Sequence, residues 1–420
     1  MTPFRRLTKI AASERRVRGG SMFPDVPNTG LPLSGLTVID CTIWQQGTYA
    51  SAMLADFGAN VIKIEGPDSP DPGRGVSDAY FQSHNRNKRG IVIDFKHPEG
   101  RETVLRLAEK ADVFVQNMRQ GVMDKLGLNY DAVRERNPQI IYASASGYGA
   151  RGPHRQWPAM DILGQARGGT MMTQGPPDLA PIFSFGGMAD QVGAISLSYG
   201  ILIALINRMR TGEGQQLDAS LLGGQVMLQS FNVTGTLFTG AVPPRRAREQ
   251  AAPMWNVYQC KDGNWIALSM SLIGRWWKPF CEAVGRPDWR DDPRYNRLPD
   301  HYEHREEIIA LLDALFLEKA QWEWVEFLCG QGLPCAPIQD YAQIIEDPQV
   351  VANDYIVEYD HPSGERRKIV GPAVQLEGSP GQIRHGAPEF GQHTEEVLLE
   401  FGFEWDEIER LKNAGAIGAR

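Results

Sequence analysis

Several features are scarce or missing in the sequence, and each absence narrows the classes to which the protein can belong. The five cysteines are an odd number and include no Cys-x-x-Cys pair, which argues against a disulfide framework and for a reducing compartment. The longest nearly uncharged apolar run, Ala194–Ile206, has 13 residues, fewer than the roughly 18 that suggest a membrane span. We therefore expect a cytoplasmic protein that does not associate with membranes.

Motifs of several enzyme classes are also missing. The turn after the first predicted strand, residues 40–47, contains one glycine, so it lacks the G-x-G-x-x-G pattern that lets a backbone approach a pyrophosphate. Glu65 ends the second predicted strand, where NAD enzymes carry a ribose-binding acid, but without the glycines nicotinamide chemistry is the weaker interpretation. No G-x-S-x-G motif indicates a serine hydrolase. His301 and His304 have no third ligand nearby, so we predict no metal site and interpret them as a solvated face.

The charge of the chain is unevenly distributed. The net charge is -8, yet residues 1–20 carry six basic side chains and one acidic side chain, so the remainder is strongly acidic. An acidic body lacks the electrostatic footprint of nucleic-acid binding, and we expect no nucleic-acid partner. Residues 1–31 are interpreted as a basic, disordered leader. An organelle-targeting peptide and a true start at Met22 are the alternatives.

The length and the pattern of the chain predict its fold class. With 420 residues it exceeds the roughly 250 to 300 at which one hydrophobic core stops growing, so two packing units are expected. Short β-rich runs alternate with amphipathic helical stretches, which predicts a Rossmann-like, doubly wound α/β domain with a parallel sheet. The predicted strands are Leu36–Cys41, Asn60–Glu65, Ile91–Phe95, Val113–Gln116 and Ile140–Ala143, with helices at Thr48–Phe57, Glu99–Lys110 and Tyr130–Arg136.

A second, smaller α+β domain is predicted after an apolar core helix at Ala189–Arg210. Prolines and arginines break the periodicity at 240–250, and Asp262-Gly263 between two short apolar runs indicates a hairpin. Helices are predicted at Trp276–Val284 and Tyr302–Leu317, a linker at 332–337 and a helical tail at 394–413. This division assigns residues 32–225 and 338–420 to the large domain and residues 226–337 to the small domain with its linkers.

Two aspartates in glycine-rich settings are candidates for an acid, a base or a nucleophile. Asp161 lies in one such segment, and Asp190 follows Gly186-Gly187 at the head of the apolar helix. As an N-cap, Asp190 would accept hydrogen bonds from helix amides and stay ionised. An ordinary N-cap without a catalytic role is the competing interpretation. The basic cluster at 85–89, with Lys96 and Lys125 beyond it, is suited to phosphates, but a solvated loop would have the same composition.

A series of short motifs follows an ordered pattern along the chain: Pro32-Leu-Ser-Gly-Leu, Asp40-Cys-Thr, Leu54-Ala-Asp-Phe-Gly-Ala-Asn-Val-Ile-Lys-Ile-Glu65, Asn87-Lys88-Arg89, Asp112-Val-Phe-Val-Gln-Asn117, Gly186-Gly-Met-Ala-Asp190, Thr211-Gly-Glu-Gly-Gln215 and Leu333-Pro-Cys-Ala-Pro337. Together these motifs resemble the class III CoA-transferases, the family of formyl-CoA transferase and carnitine CoA-transferase. The resemblance covers about residues 32 to 410 and is specific for the superfamily, but it does not indicate the acyl group.

The resemblance implies a nucleophile and a substrate. Asp190 matches the family's nucleophilic aspartate, and a carboxylate suits the role because an aspartyl anhydride and an aspartyl-CoA thioester stay about as activated as the substrate thioester. It also places Gln45 beside the reacting carbonyl, and Asp161 where some members carry a supporting glutamate. Coenzyme A and acyl-CoA are then substrates, with no tightly bound cofactor and no metal. The positions that it places along the CoA are Trp44, Gln46, Ile93, Lys96, Asn117, Met118 and Lys125.

Two departures from the family pattern affect these expectations. Gly66 stands where several members have an arginine for the nucleotide, so Lys88, Lys96 or Arg74 is expected to supply that charge. Met160 precedes Asp161 where racemases of the superfamily have histidine, which disfavours an acyl-CoA racemase or isomerase. That enzyme and a non-catalytic CoA-binding subunit, assembled with a paralogue in a hetero-oligomer, remain the alternatives to a CoA-transferase.

The resemblance also implies an assembly, an interlocked homodimer, and bears on the substrate. The glycine loop of formyl-CoA transferase has no counterpart, and residues 245–250 occupy its approximate place. Bulky side chains near the site suit a larger, partly apolar acid, and the arginines at 245, 246 and 248 could meet a second carboxylate. We therefore expect a dicarboxylic or aryl-substituted acid, with succinyl-CoA as a candidate donor. The bulky side chains are Trp44, Met160, Met171, Met172 and Trp255, and the alternative is that they fill the core.

Overall fold

The computed structural model describes residues 30–295 and 297–418. The predictions for the leader therefore lie almost entirely outside the described residues. The strands are β1 Thr37–Cys41, β2 Asn60–Glu65, β3 Lys88–Val92, β4 Val113–Gln116, β5 Ile141–Ser146, β6 Gln215–Ser220, β7 Val257–Gln259, β8 Trp265–Leu268, β9 Cys335–Ile338, β10 Ile356–Asp360 and β11 Arg366–Val370.

Helices connect these strands and form most of the remaining structure. They are α1 Gln46–Asp56, α2 Asp78–Asn85, α3 Pro98–Glu109, α4 Val122–Leu126, α5 Tyr130–Arg136, α6 Asp161–Gly168, α7 Met188–Thr211, α8 Leu221–Leu228, α9 Ser230–Thr239, α10 Ile273–Ala283, α11 Pro287–Asp291, α12 Leu298–Glu303, α13 Arg305–Phe316, α14 Gln321–Gly330, α15 Tyr341–Ile344, α16 Pro348–Ala352, α17 Thr394–Glu400 and α18 Trp405–Asn413. Short 3-10 turns lie at Pro72–Gly75, Thr170–Met172 and Arg248–Gln250.

Six strands form one sheet in the order β3-β2-β1-β4-β5-β6, and every pair in it is parallel. The predicted doubly wound α/β fold is thus confirmed. The sequence analysis missed β6, whose alternation of half-exposed and exposed residues is that of an edge strand. The inner strands are apolar on both sides because helices cover both faces of the sheet.

The two faces of the sheet bury separate apolar clusters. On one face, Val38 and its neighbours pack against α1 and α7. On the other face, Ile39 and Phe114 pack with α3, α5 and the C-terminal helices α17 and α18. Helices α17 and α18, at the end of the chain, therefore complete the core of the first domain, although they are distant from it in sequence.

The smaller unit is built on an antiparallel sheet in the order β7-β8-β9. The predicted hairpin is present, but the prediction of a linker at 332–337 was wrong, because β9 pairs with β8 at the edge of this sheet, where Pro337 is tolerated. The helix predicted at Tyr302–Leu317 is divided at His304 into α12 and α13. The prediction that His301 lies on a solvated face was wrong. The side chain is buried against Trp277, and its Nδ1 atom is hydrogen-bonded to the carbonyl of Tyr295.

Helix α7 is long and apolar enough to cross a membrane by length and composition alone, which is weak evidence because core helices pass the same test. It packs on the sheet through Ala194, Leu197 and Ile201. The side of α7 that faces away from the sheet is apolar as well, but it is exposed. The prediction that α7 is a core helix therefore holds for only one of its sides. The large residues on the exposed side are Ile195, Tyr199, Leu202, Ile203, Ile206 and Met209.

Candidate active site

The winding direction of the sheet reverses between β1 and β4. In open α/β sheets this switch point, outside the carboxyl ends of the strands, is where ligands bind. The loops after β1 and β4 are joined there, because the Asn117 side chain accepts a hydrogen bond from the Ile43 amide at 3.0 Å and donates one to its carbonyl at 2.6 Å. The β1–α1 loop is therefore fixed in position at this switch point.

Asp190 lies in the first turn of α7, as the third residue of the helix. The prediction that it is the N-cap was wrong, because the helix begins after Gly187, whose φ of 79° is left-handed. The capping acceptor comes instead from Asp161, whose Oδ1 atom accepts hydrogen bonds from the amides of Ala189 at 2.6 Å and Asp190 at 3.2 Å. The two aspartates singled out in the sequence thus meet at the start of this helix.

Gln165 holds Asp161 in place, and the sequence analysis did not identify it. Its Nε2 atom donates to Oδ2 of Asp161 at 2.7 Å and to the carbonyl of Ser184 at 2.9 Å, and its Oε1 atom accepts from the Ser184 amide at 2.9 Å. The side chain is 1% exposed. Its spacing of one helical turn after Asp161 was the available signal.

Gln45 reaches the turn that precedes Asp190. It precedes α1, is buried, and donates a hydrogen bond from Nε2 to the carbonyl of Gly186 at 3.1 Å. A Cβ atom on Gly187 would lie 2.4 Å from that Nε2 atom, so glycine is needed there for close approach as well as for its left-handed φ. Gly186 and Gly187 therefore allow the Gln45 side chain to approach the backbone of this turn.

The environment of Asp190 raises its pKa to about 7, mainly through burial and then through the negative charge of Asp161. From the sequence, the helix N-terminus was expected to keep this carboxylate ionised. Burial outweighs that effect, because the helix dipole contributes less than about one pKa unit. The Tyr80 hydroxyl lies within the field of Asp190, whose charge adds to burial in raising the pKa of the phenol. Asp190 is thus a carboxylate poised to change charge near neutral pH.

Comparison with known proteins gives the family. Residues 33–394 match the model of CoA-transferase family III. The chain belongs to this family. It is 33% identical to an acyl-CoA transferase of Fusarium pseudograminearum, over 98% of this chain and 93% of that protein. It is 29% identical to (R)-2-hydroxy-4-methylpentanoate CoA-transferase of Clostridioides difficile, over 92% of this chain and 99% of that one.

Other relatives of this CoA-transferase support the same assignment. A formyl-CoA:oxalate CoA-transferase of Rhodopseudomonas palustris is 30% identical over 92% of this chain and 97% of its own length. A crystal structure of a CAIB/BAIF family protein from Brucella suis superposes with a TM-score of 0.78 at 28% identity, covering 88% of this chain and 99% of that one. The resemblance inferred from the motifs is thereby confirmed, and the chain is an enzyme of the class III family.

The predicted CoA contacts of this CoA-transferase fall into two groups. Trp44 and Met118 are half-buried, and Lys96 and Lys125 are exposed, so their side chains are within reach of solvent. The others are engaged inside the protein. Gln46 is buried with its Nε2 atom on the carbonyl of Ala219, Ile93 is fully buried in the core, and Asn117 bonds the β1–α1 loop.

Two of the three cations expected to replace the family's nucleotide arginine are already paired. Lys88 is fully buried and donates to Asp40 at 2.9 Å, to the Thr48 carbonyl and to Asn85, so the prediction that it binds phosphate was wrong. Its surroundings lower the pKa of Lys88 to about 8, through burial opposed by Asp40. Arg74 forms a double hydrogen bond with Glu65, which also removes Glu65 as a ribose ligand. Lys96 remains exposed.

A cavity of about 710 Å³ lies at the carboxyl ends of β4, β5 and β6 of this CoA-transferase. Met118 lines it, together with Arg119, Arg151 and Arg155, whereas Asp190 and Asp161 do not. The cavity thus adjoins one predicted CoA contact and offers cations that the sequence analysis did not consider. Within the described ranges, no group of three or more His, Cys, Asp or Glu side chains could hold a metal ion.

The basic segment near the site is mostly engaged. Arg245 donates to the carbonyls of Gln174 and Leu179 at 2.8 Å, and Arg248 pairs with Asp313 at 2.6 Å. The expectation that these two meet a substrate carboxylate was wrong, whereas Arg246 is exposed. Of the bulky side chains, those more than half exposed do not fill the core. They are Met160, Met172 and Trp255.

Proposed function

We propose that the protein is an intermolecular CoA-transferase that moves CoA from an acyl-CoA donor to a carboxylic acid acceptor, with Asp190 as the nucleophile. The observation that carries the proposal is the position of Asp190, a partly buried carboxylate of raised pKa in a helix turn held by Asp161 and contacted by Gln45 through Gly186. A carboxylate partly removed from water has lost part of its solvation, which makes it a stronger nucleophile when ionised.

The reaction proceeds in balanced, reversible steps. The Asp190 carboxylate attacks the donor thioester, forms a mixed anhydride and releases CoA thiolate. The thiolate then attacks the aspartyl carbonyl, giving an aspartyl-CoA thioester and the free donor acid, which carries one oxygen from Asp190. The acceptor carboxylate attacks this thioester, forms a second mixed anhydride with Asp190 and releases CoA thiolate. The thiolate then attacks the acceptor carbonyl, which gives the acceptor acyl-CoA and regenerates the Asp190 carboxylate.

Gln45 and Asp161 support these steps in different ways. One Nε2 hydrogen of Gln45 is used on the Gly186 carbonyl, and the second is available for the carbonyl oxygen of the bound thioester or anhydride, where negative charge develops. Asp161 holds the amides of the helix turn and so orients the Asp190 carboxylate. Neither side chain needs to form a covalent bond.

The decisive variants are Asp190→Ala and Asp190→Asn. We expect both to lose transfer by at least about 10³-fold while remaining folded, because no other described carboxylate occupies this position. Asp112→Asn is the matched control, since Asp112 precedes β4 at the opposite end of the sheet from Asp190 and does not line the cavity. Near-normal transfer by either Asp190 variant would overturn the proposal. Activity restored only by a paralogous partner would indicate the non-catalytic subunit instead.

For the substrate pair we propose a larger carboxylic acid acceptor, with succinyl-CoA as a candidate donor. The exposed Met160, Met172 and Trp255 support a partly apolar acid, and Arg246 is the remaining arginine of the segment able to meet a second carboxylate. Among the relatives, one acts on a branched hydroxy acid by its name and others on oxalate. The apolar side chains favour the first type of acid.

We also propose that the protein is a homodimer, interlocked as the family resemblance implies, in the cytoplasm. The side of α7 that faces away from the sheet exposes large apolar residues, and on α9 Phe231 is 87% and Phe238 85% exposed. Exposed large apolar side chains that lie together mark sites of protein association. A second copy of the chain is the occupant that this proposal assigns to this site, and the free cysteines support a reducing compartment.

A further inference from the structure

Trp44, directly before Gln45, has a left-handed backbone with a φ of 63°. For a residue with a side chain this conformation is strained, so the surrounding structure must enforce it. Residues held in this way concentrate at functional sites.

The contact that holds the Trp44 backbone comes from Asp71. Oδ1 of Asp71 accepts hydrogen bonds from the amides of Trp44 and Gly73, both at 2.9 Å. Its Oδ2 atom is paired with Nζ of Lys63 at 2.8 Å, and the same Nζ donates to the Thr42 carbonyl at 2.9 Å. Asp71 and Lys63 are both about fully buried. The ion pair thus holds the β1–α1 loop through two backbone groups, the amide of Trp44 and the carbonyl of Thr42.

The left-handed residue determines where the next side chain points. Gln45 follows it directly, and its Nε2 atom bonds the Gly186 carbonyl in the loop that carries Asp190. If Trp44 returned to an ordinary negative φ, the chain direction at residue 45 would change and this contact would be lost. Asp71 does not line the large cavity and is not a predicted contact of any substrate.

We propose that Asp71, paired with Lys63, is a positioning residue that holds Trp44 in the left-handed conformation and thereby places Gln45 beside Asp190. The role rests on the proposed function, because Gln45 matters only if its amide serves the reacting carbonyl. Asp71 acts through the backbone of Trp44 and touches no substrate.

The proposal is tested by introducing Asp71→Ala into two parent variants, called backgrounds, that differ by one carbon atom at position 44. Trp44→Ala and Trp44→Gly both lack the indole, but glycine adopts a positive φ without the cost that alanine pays. Adding Asp71→Ala should lower kcat by about 10²-fold in the alanine background, the loss expected when a catalytic group moves by about 1 Å, and by less than about 5-fold in the glycine background. An equal loss in both backgrounds would overturn the proposal.

Crystal structures of the two double variants give a readout that does not depend on CoA transfer. We expect Gln45 Nε2 to leave the Gly186 carbonyl in Asp71→Ala/Trp44→Ala and to stay on it in Asp71→Ala/Trp44→Gly. Retention of the contact in the alanine form would overturn the positioning role. Failure of the proposed function is recognised separately, by transfer that survives Asp190→Asn in a protein whose Gln45 is in place.

Two further variants distinguish a loss of positioning from a general loss of folding. Asp71→Asn keeps an acceptor for the Trp44 amide but loses the ion pair, so its kcat should stay within about tenfold of the parent even though its thermal stability falls. Asp112→Ala is the matched control, because Asp112 also accepts a backbone amide, that of Thr37 at 2.8 Å, and pairs with Arg208 at the opposite end of the sheet. It should lower stability without lowering kcat. A loss of kcat in Asp112→Ala as large as in Asp71→Ala would overturn the proposal.

Discussion

Oδ1 of Asp161 accepts a hydrogen bond of 3.2 Å from the backbone amide of Asp190. The same carboxylate whose charge helps to raise the pKa of Asp190 therefore also holds the helix turn on which Asp190 is carried. Charge and position can be separated, because asparagine at 161 would keep the acceptor oxygen and remove the charge.

The rate should depend on pH through Asp190. Only the ionised carboxylate is nucleophilic, so kcat/KM should fall as pH drops through about 7, the raised pKa of Asp190. In Asp161→Asn the acidic limb should move to lower pH but stay well above that of a free aspartate, because burial is the larger cause of the shift. A limb that does not move, or one that lies near pH 4 in the parent, would contradict this reading of the site.

Stability should show the opposite dependence. The folded pKa of Asp190 lies above the unfolded value of 3.8, so between pH 3.8 and about 7 the native state binds the additional proton and loses stability as pH rises. Asp190→Asn does not ionise and should be more stable than the parent at pH 8, by up to about 4 kcal/mol. Denaturant unfolding should show this difference disappearing below about pH 4. An equal difference at both pH values would exclude ionisation as its origin.

Gly187 and Gly186 provide a matched pair of substitutions. Both have left-handed φ values, 79° and 83°, so alanine strains the backbone at either position. A Cβ atom at 187 would meet Gln45 at 2.4 Å, whereas one at 186 meets nothing within 4 Å. Gly187→Ala should therefore lower kcat at least about tenfold more than Gly186→Ala. Equal effects would show that the contact with Gln45 does not matter to the rate.

The proposed homodimer should not dissociate without unfolding. The apolar side of α7, with Tyr199 and Met209 each more than 60% exposed, and the exposed Phe231 and Phe238 of α9 would be covered by the second copy. Sedimentation over a range of concentrations should give one dimeric species that persists until the unfolding transition. A stable folded monomer at micromolar concentration would contradict the interlocked assembly.

The acceptor should be found by offering carboxylic acids against several CoA donors and detecting new thioesters by mass spectrometry. We expect transfer to larger, partly apolar or dicarboxylic acids, and a loss of preference for the second carboxylate in Arg246→Ala. Solvent deuterium entering the α-carbon of an acyl-CoA without any acceptor acid would indicate a racemase or isomerase. Strict preference for formyl-CoA with oxalate would refute the proposed substrate class while leaving the role of Asp190 intact.

The sequence predicted the fold where local patterns carry it. Asn60–Glu65 and Val113–Gln116 coincide with β2 and β4, because both are short β-rich runs between turn signals. Strand β6 was missed because an edge strand is half polar. The sixth strand, the third strand of the small sheet and the helix break at His304 all depend on tertiary neighbours that no short window of sequence contains.

The site was predictable only in part, for the same reason. Motifs identified Asp190, Asp161 and Gln45, but not how they meet. Lys88 was assigned to phosphate because a basic cluster does not reveal that Asp40, 48 residues earlier, neutralises it in the core. The cap of α7 lies 28 residues before Ala189, and Asp71 lies 27 residues after Trp44. These are long-range contacts between polar groups, and composition alone does not report them.

Transfer of heavy oxygen from the acceptor acid to the enzyme is the sharpest test of Asp190 as the nucleophile. If the acceptor carboxylate attacks an aspartyl-CoA thioester, one of its oxygens must remain on the Asp190 carboxylate at the end of each turnover. After reaction with labelled acceptor, peptide mass spectrometry should find the label on Asp190 and not on Asp161. Formation of the acceptor thioester with no label on Asp190 would contradict the account.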